Sequence, residues 1–256
     1  EFGYWTDTLR AWHGQGLPDW VTTNERADRF FGFSPRAQAP VDVNLRPAFR
    51  SRILEETDQY RIVADALGVK SVVHKDGRSS IPKYLEFPVR DRDSWETFHQ
   101  RLDPNTPERY PPHWDVLCRE WVLRDYPVGI GIGSLFGWIR NWTGFEGVLL
   151  MLYDDPVLFE EIVEHITLLV VGTIERALVQ VNFDFAAGWE DMCFNKGPMI
   201  SPALFERYLV PRYRRITGLL REHDVDVVIV DCDGDISQLV PLWLKAGVNC
   251  MFPLET

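Results

Sequence analysis

The segment Val227-Val228-Ile229-Val230-Asp231-Cys232-Asp233-Gly234-Asp235-Ile236 runs an apolar stretch into three alternating carboxylates. A continuous apolar run is the pattern of a strand buried on both faces. The carboxyl end of such a strand is where parallel α/β folds bind ligands and do chemistry. The arrangement recurs, because 183–187 leads into Gly188-Trp189-Glu190-Asp191-Met192 and 248–252 is followed by Glu255. If these strands are neighbours, one rim carries Glu190, Asp191, Asp231, Asp233 and Glu255. Carboxylates so crowded either surround a cation or leave one member protonated, ready to act as acid or base near neutral pH. Asp231, Asp191 and Glu190 are therefore the candidate catalytic groups, and Asp231 with Asp233 the candidate ligands of a divalent metal. Trp189, Arg140, Lys196, Asp233 and Glu255 are the candidate substrate contacts. Plainer readings stand beside these: Asp235 is also placed to cap a helix, and Lys196 to be a solvated loop residue.

Other chemistry is less well supported by spacing. The six His are scattered, and His165 and His223 fall on helical stretches without a His or Cys partner at ligand distance. Gly129-Ile130-Gly131-Ile132-Gly133 lacks the third glycine of a dinucleotide loop, and its glycines alternate inside a strand. Cys118, Cys193, Cys232 and Cys250 form no C-x-x-C pair, which fits reduced thiols in a cytoplasmic protein better than a disulfide frame. Among the ten Trp residues, Trp189 and Trp142 fall on the expected active face.

The elements that must position these residues come in two regimes. Up to about residue 125 the chain is polar and punctuated by Pro. A short helix is expected at 9–12, a helix at 50–67 ended by Gly68, and a hairpin of 69–73 with 84–89 around Lys75-Asp76-Gly77-Arg78. Helices at 93–102 and from 111 to 125 follow. From residue 127 strands and helices alternate. Strands are predicted at 128–133, 183–187, 225–231 and 248–252, with helices at 145–153, after Asp155-Pro156, at 202–222 after Ser201, and at 236–246. The helix after Asp155 would bury Leu158, Ile162, Val163, Ile166, Leu169, Val170, Ile174, Ala177 and Leu178. This alternation means a parallel α/β sheet, and the strand count favours a (β/α) barrel over an open sheet.

Composition narrows the partners. Hydrophobic residues make up 45% of the 256, enough for a large core. The formal net charge of -11 argues against nucleic acid, whose phosphates require clustered Lys and Arg. No apolar run reaches the roughly 18 residues of a membrane span. The chain opens at Glu1-Phe2-Gly3-Tyr4-Trp5 and closes at Pro253-Leu254-Glu255-Thr256, directly after an apolar run, so a fragment cut at both ends is expected.

A family pattern emerges at Trp189-Glu190-Asp191-Met192, at Gly197-Pro198-Met199-Ile200-Ser201-Pro202 with Phe205, and at Pro211-Arg212-Tyr213. It continues through Asp231-x-Asp233-Gly234-Asp235-Ile236, Leu239-x-Pro241 and Ala246-Gly247-Val248-Asn249. In these residues the chain resembles the uroporphyrinogen decarboxylase-like superfamily, which includes tetrapyrrole decarboxylases and corrinoid-linked methyltransferases. The resemblance runs from about residue 127 to the end and more weakly before it. It implies a single TIM-type (β/α)8 barrel domain over 1–256, with a first strand, a hairpin insertion and helices in 1–126 and the last strands missing. It makes decarboxylation of a tetrapyrrole-like or small organic acid the nominal reaction. The alternatives are corrinoid-dependent methyl transfer with a metal at the acidic rim, and a non-catalytic binding protein. A small-molecule substrate, a corrinoid protein and a second copy of the chain are the candidate partners.

Two departures from the family follow. Decarboxylases of uroporphyrinogen carry arginines after the first strand, and the matching region, Glu1–Trp5, has none. The methyltransferase branch holds zinc with a His-x-Cys-Gly segment. Here those His and Cys positions are Asp231 and Asp233, a set better suited to an oxygen-liking cation.

Overall fold

The apolar runs of the second half become the parallel strands of one sheet. The computed structural model describes residues 3–75 and 82–254. In chain order the strands are β1 Ala37–Gln38, β2 Arg52–Glu56, β3 Tyr60–Ala64, β4 Lys70–His74, β5 Lys83–Glu86, β6 Val128–Gly133, β7 Phe185–Trp189, β8 Cys193–Phe194, β9 Gly197–Pro198, β10 Val227–Asp231 and β11 Cys250–Phe252. The helices are α1 Thr6–His13, α2 Asn24–Phe31, α3 Arg92–Phe98, α4 Trp114–Trp121, α5 Phe136–Thr143, α6 Phe145–Asp154, α7 Pro156–Gln180, α8 Pro202–Tyr208, α9 Val210–Glu222 and α10 Val240–Lys245.

The main sheet has the order β1-β6-β7-β10-β11, and every pair is parallel. Each strand is added beside the one before it. With right-handed crossovers, that order places the connecting helices on one face, with no reversal point of the doubly wound kind. Burial agrees: Val128, Ile130, Ala186, Val228 and Val230 are at most 1% exposed, while Phe185, Ala187, Ile229 and Asp231 on the other face are only partly buried. Among the described residues the sheet is open, with β1 and β11 at its edges.

The helical layer follows the predicted pattern closely at α7. Asp155 accepts a hydrogen bond from the Leu158 N–H at 3.0 Å and Pro156 takes the first position. All nine residues expected on the buried face of α7 are buried. Ser201 caps α8 through the Leu204 N–H. The single helix expected after it is two, α8 and α9, parted at Leu209. The helix expected at 236–246 is confined to Val240–Lys245.

The larger corrections lie in the first half. Residues 50–67 are strands β2 and β3 rather than a helix. The Thr57 hydroxyl accepts from the Tyr60 N–H at 3.1 Å and closes a turn in the middle of that stretch. β3 also pairs with β4, and β4 with β5, giving a four-stranded antiparallel sheet. The expected β4–β5 hairpin is present, while its turn residues 76–81 lie outside the described residues. The first parallel strand is Ala37–Gln38, not the region before α1, and Arg36 directly precedes it. This arginine precedes the strand, whereas the decarboxylase arginines follow it. α1 and α2 close a small separate core of Leu9, Leu17, Val21 and Ala27, with Tyr4 and Trp12 packed on it.

Asp184 ties the bases of two central strands together. Its carboxylate accepts from the Val128 N–H at 2.7 Å and pairs with Arg124 at 2.9 Å. Burial pushes its pKa up, but the Val128 N–H and the Arg124 guanidinium outweigh that and hold it below the ordinary 3.8. A carboxylate whose folded pKa lies below its unfolded one stabilises the fold above the unfolded value and loses that contribution as pH falls through the folded one. Urea unfolding across pH should therefore give Asp184→Asn a shallower acid limb below about pH 4 than the native chain.

Candidate active site

The partly buried face of the main sheet borders a cavity of about 430 Å³. Its walls are Arg36, Ala37 and Gln38 from β1 and the residue before it, Phe185, Ala187, Gly188 and Trp189 from β7, Ile229 and Asp231 from β10, and Phe252 from β11. The volume falls in the usual range for small-molecule sites. Strand register orders the walls. Trp189 is opposite Asp231, and Asp231 opposite Phe252, so the last row of the sheet reads Trp189–Asp231–Phe252. The next row on the same face contains Ala187 and Ile229. Arg36 stands at the other end, since Ala37 pairs with Val128, the first residue of β6.

Strand β6 makes room for the Phe185 ring. Val128, Ile130 and Ile132 alternate with glycines, and a Cβ on Gly129 would meet the Phe185 ring at 2.2 Å. The Gly-Ile alternation is thus a packing device that lets the Phe185 ring lie over the strand.

Glu190 follows Trp189 but turns away from the cavity and has no exposed surface. Its carboxylate accepts from the Leu135 N–H at 2.9 Å, from the Phe136 and Gly137 N–H groups at 2.8 Å each, and from the Ser134 hydroxyl at 2.8 Å. The Tyr213 hydroxyl donates a fifth bond. Those N–H groups are the otherwise unpartnered donors at the start of α5, where the helix dipole also favours an anion. Burial pushes the Glu190 carboxyl above its ordinary range, while Tyr213 and the α5 donors pull it back. Burial and the Glu190 charge raise the Tyr213 phenol well above its usual value, so it keeps its proton and donates.

Gly137 permits this junction. A Cβ there would lie 2.6 Å from the Trp189 ring and 2.7 Å from both the Glu190 carbonyl oxygen and the Ser134 hydroxyl. Gly137→Ala should cost about 1–3 kcal/mol in urea unfolding, because both backbone and indole must give way. A change within a few tenths of a kcal/mol would mean that the α5–β7 contact is looser than described.

The remaining sequence candidates are spread around the rim. Asp191 has a positive φ of 44°, a left-handed conformation that Asp tolerates better than most residues. Arg140 donates to the Asp191 carbonyl, and its guanidinium lies 3.9 Å from the Asp191 carboxylate. Arg140 also borders a second cavity of about 300 Å³, with Asn141, Tyr84, Phe87 and Phe145, between the small sheet and α5–α6. Lys196 is exposed in the turn between β8 and β9, and Asp233 is exposed on the loop after β10. Asp235 accepts from the Ser237 N–H at 3.0 Å and closes a turn five residues ahead of α10 rather than capping it. Glu255 lies outside the described residues. Trp142 is buried in the core, with its ring 4.9 Å from Phe98 and stacked on Trp138, and does not line the cavity.

The crowded acidic rim therefore resolves into separate environments. Glu190 is held by a helix start and Asp191 by Arg140, while Asp231 borders the cavity. Among the described residues no three of His, Cys, Asp and Glu come together as a metal-ligand set. With Asp at both strand-end positions, this donor set does not fit a zinc ion that activates a thiol. Sequence reasoning passed over Arg36, Gln38, Phe185 and Phe252 as cavity walls and Tyr213 as the partner of Glu190. For Arg36 and Gln38 the available signal was weak, a two-residue strand between Pro35 and Pro40.

No protein-family model matches the chain, and no curated protein does. Its fold is similar to that of a methyltransferase from Methanosarcina mazei, with a TM-score of 0.50 and 14% sequence identity over 94% of this chain and 66% of that one. This chain thus spans just under two thirds of the length of that structure. Likeness at this identity concerns the fold. Among the described residues no helix is long and apolar enough to cross a membrane.

Proposed function

We propose that the cavity is the active site of a methyltransferase built on a (β/α)8-type barrel, which exchanges a methyl group between a small organic substrate and a corrinoid carried by a separate protein. The carrying observation is the row Trp189–Asp231–Phe252 across the carboxyl ends of neighbouring parallel strands, where barrel enzymes keep their chemistry. The unbroken chain-order sequence of strands with helices on one face supports the barrel reading, and the fold likeness to a methyltransferase supports the reaction class. The 430 Å³ space suits a small molecule. A corrin ring is too large to be enclosed there, so its carrier protein would present it at the edge of the cavity, where its cobalt would accept or give the methyl group.

The chain's own residues have distinct tasks in this reading. Asp231 stabilises positive charge on the substrate at the mouth. Trp189 and Phe252 orient the substrate and exclude water on either side. Glu190, with Tyr213 and Ser134, fixes the start of α5 and through it the end of β7; it is a positioning residue. Asp191 and Arg140 hold the loop that follows. Decarboxylation is the second reading, favoured by Asp231, a carboxylate that borders the cavity between Trp189 and Phe252, since a carboxylate can steady a cationic intermediate.

One panel assay separates the readings. Purified protein is given reduced free cobalamin with methylated amines, thioethers and methoxy compounds, and separately with radiolabelled carboxylic acids. Methylcobalamin formation from at least one donor is expected. Carbon dioxide release without methyl transfer would replace this reading by decarboxylation. Ligand binding with neither product would point to a binding protein.

A further inference from the structure

The makeup of the cavity wall at the carboxyl ends of the strands narrows the substrate class. Three aromatic rings, Phe185, Trp189 and Phe252, and one carboxylate, Asp231, border the same space, with aliphatic Ala187 and Ile229 between them. Register places Asp231 directly between Trp189 and Phe252 on the adjoining strands. Aromatic faces carry negative electrostatic potential, and their attraction for a cation grows as water is excluded. A strongly hydrated ammonium would lose much of its hydration in such a wall, whereas a methylated cation presents only a greasy shell over its charge. Arg36, whose backbone lies at the opposite end of the strand rows, borders the same cavity.

We infer that the ligand of this site is a methylated onium cation, a quaternary ammonium or sulfonium, seated on the Trp189–Asp231–Phe252 row and serving as methyl donor; this rests on the methyl-transfer reading. The chemistry matches the donor set. When the C–N or C–S bond breaks, its electron pair stays on nitrogen or sulfur, and the product leaves as a neutral tertiary amine or thioether. A reduced corrinoid presented by its carrier protein would supply the electron pair for the new bond to the methyl carbon. No proton is gained or lost, so no general acid is required. The leaving group is activated by its own charge, so no metal need polarise it. As positive charge leaves the substrate, the attraction of the neutral product for Asp231 and the rings falls and release is favoured.

The test is calorimetric titration of the native chain with choline and with tetramethylammonium, against dimethylbutanol, the neutral carbon isostere of choline. Choline should bind at least about tenfold more tightly than the isostere. Trp189→Leu should remove most of that difference in a chain that still unfolds cooperatively, whereas Trp189→Phe, which keeps a ring beside Gly137, should retain most of it. Equal binding of choline and isostere, or no binding of either cation, overturns the inference. The two readings fail separately. Choline binding without methyl transfer supports this ligand class and counts against methyl transfer, whereas transfer from neutral donors with no onium binding overturns the ligand class and leaves methyl transfer standing.

Discussion

Replacing Glu190 by Ala should cost about 3–5 kcal/mol of stability, the largest effect of any single side chain around the site. The reason is the environment left behind. Three backbone N–H groups at the start of α5, the Ser134 hydroxyl and the Tyr213 hydroxyl all point at one buried carboxylate. Without it, buried donors lose their acceptor and the helix start loses its anion. Glu190→Gln keeps the shape but turns an amide NH2 toward N–H donors, so it should fall between the native chain and Glu190→Ala. Ser134→Ala removes one of five bonds and should cost about 1 kcal/mol. Urea unfolding with an unchanged slope reads all three, and near-equal midpoints for Glu190→Ala and the native chain would remove the carboxylate as the clamp between α5 and β7.

The second large effect is on turnover. Asp231→Asn should lower kcat/KM by about 10²–10³-fold, the scale seen when a preorganised charge-stabilising group is lost from a site. Its stability should change by less than about 1 kcal/mol, since Asp231 is partly exposed at the cavity wall and Asn preserves its size. The contrast with Glu190 is diagnostic. Both are carboxylates at the ends of parallel strands, but one faces the cavity and the other faces a helix start. Glu190 variants should lose stability first and activity as a consequence, whereas Asp231 variants should lose activity in a fully folded protein.

Residues whose burial repeats with a clear period were legible from the sequence. α7 shows this, because nine apolar positions at helical spacing and an Asp-Pro cap are set by local chemistry alone. The strand-end logic also led to Trp189 and Asp231, both of which border the cavity. It could not separate Asp231 from Glu190, because which way a side chain turns after the last strand residue depends on what packs there. Here the α5 start, with Gly137 pressed against Trp189, draws Glu190 inward. Residues 50–67 misled for a related reason. Ile53, Leu54, Ile62 and Val63 fit a helical stripe, but Thr57 closes a turn between them, and the exposed β2 strand has no buried face to announce its period. Arg36 and Gln38 were hidden because β1 is only two residues long and is formed by pairing with β6, a partner some ninety residues away.

The most direct measurement is a single-turnover transfer with a trideuteromethyl-labelled donor, comparing the native chain with Asp231→Asn and following the label by mass spectrometry. The expected result is label appearing on the corrinoid acceptor with the native chain, and transfer slowed at least about a hundredfold with the variant. Label remaining on the donor while carbon dioxide is released, or equal transfer by both proteins, would contradict a methyl-transfer site centred on Asp231.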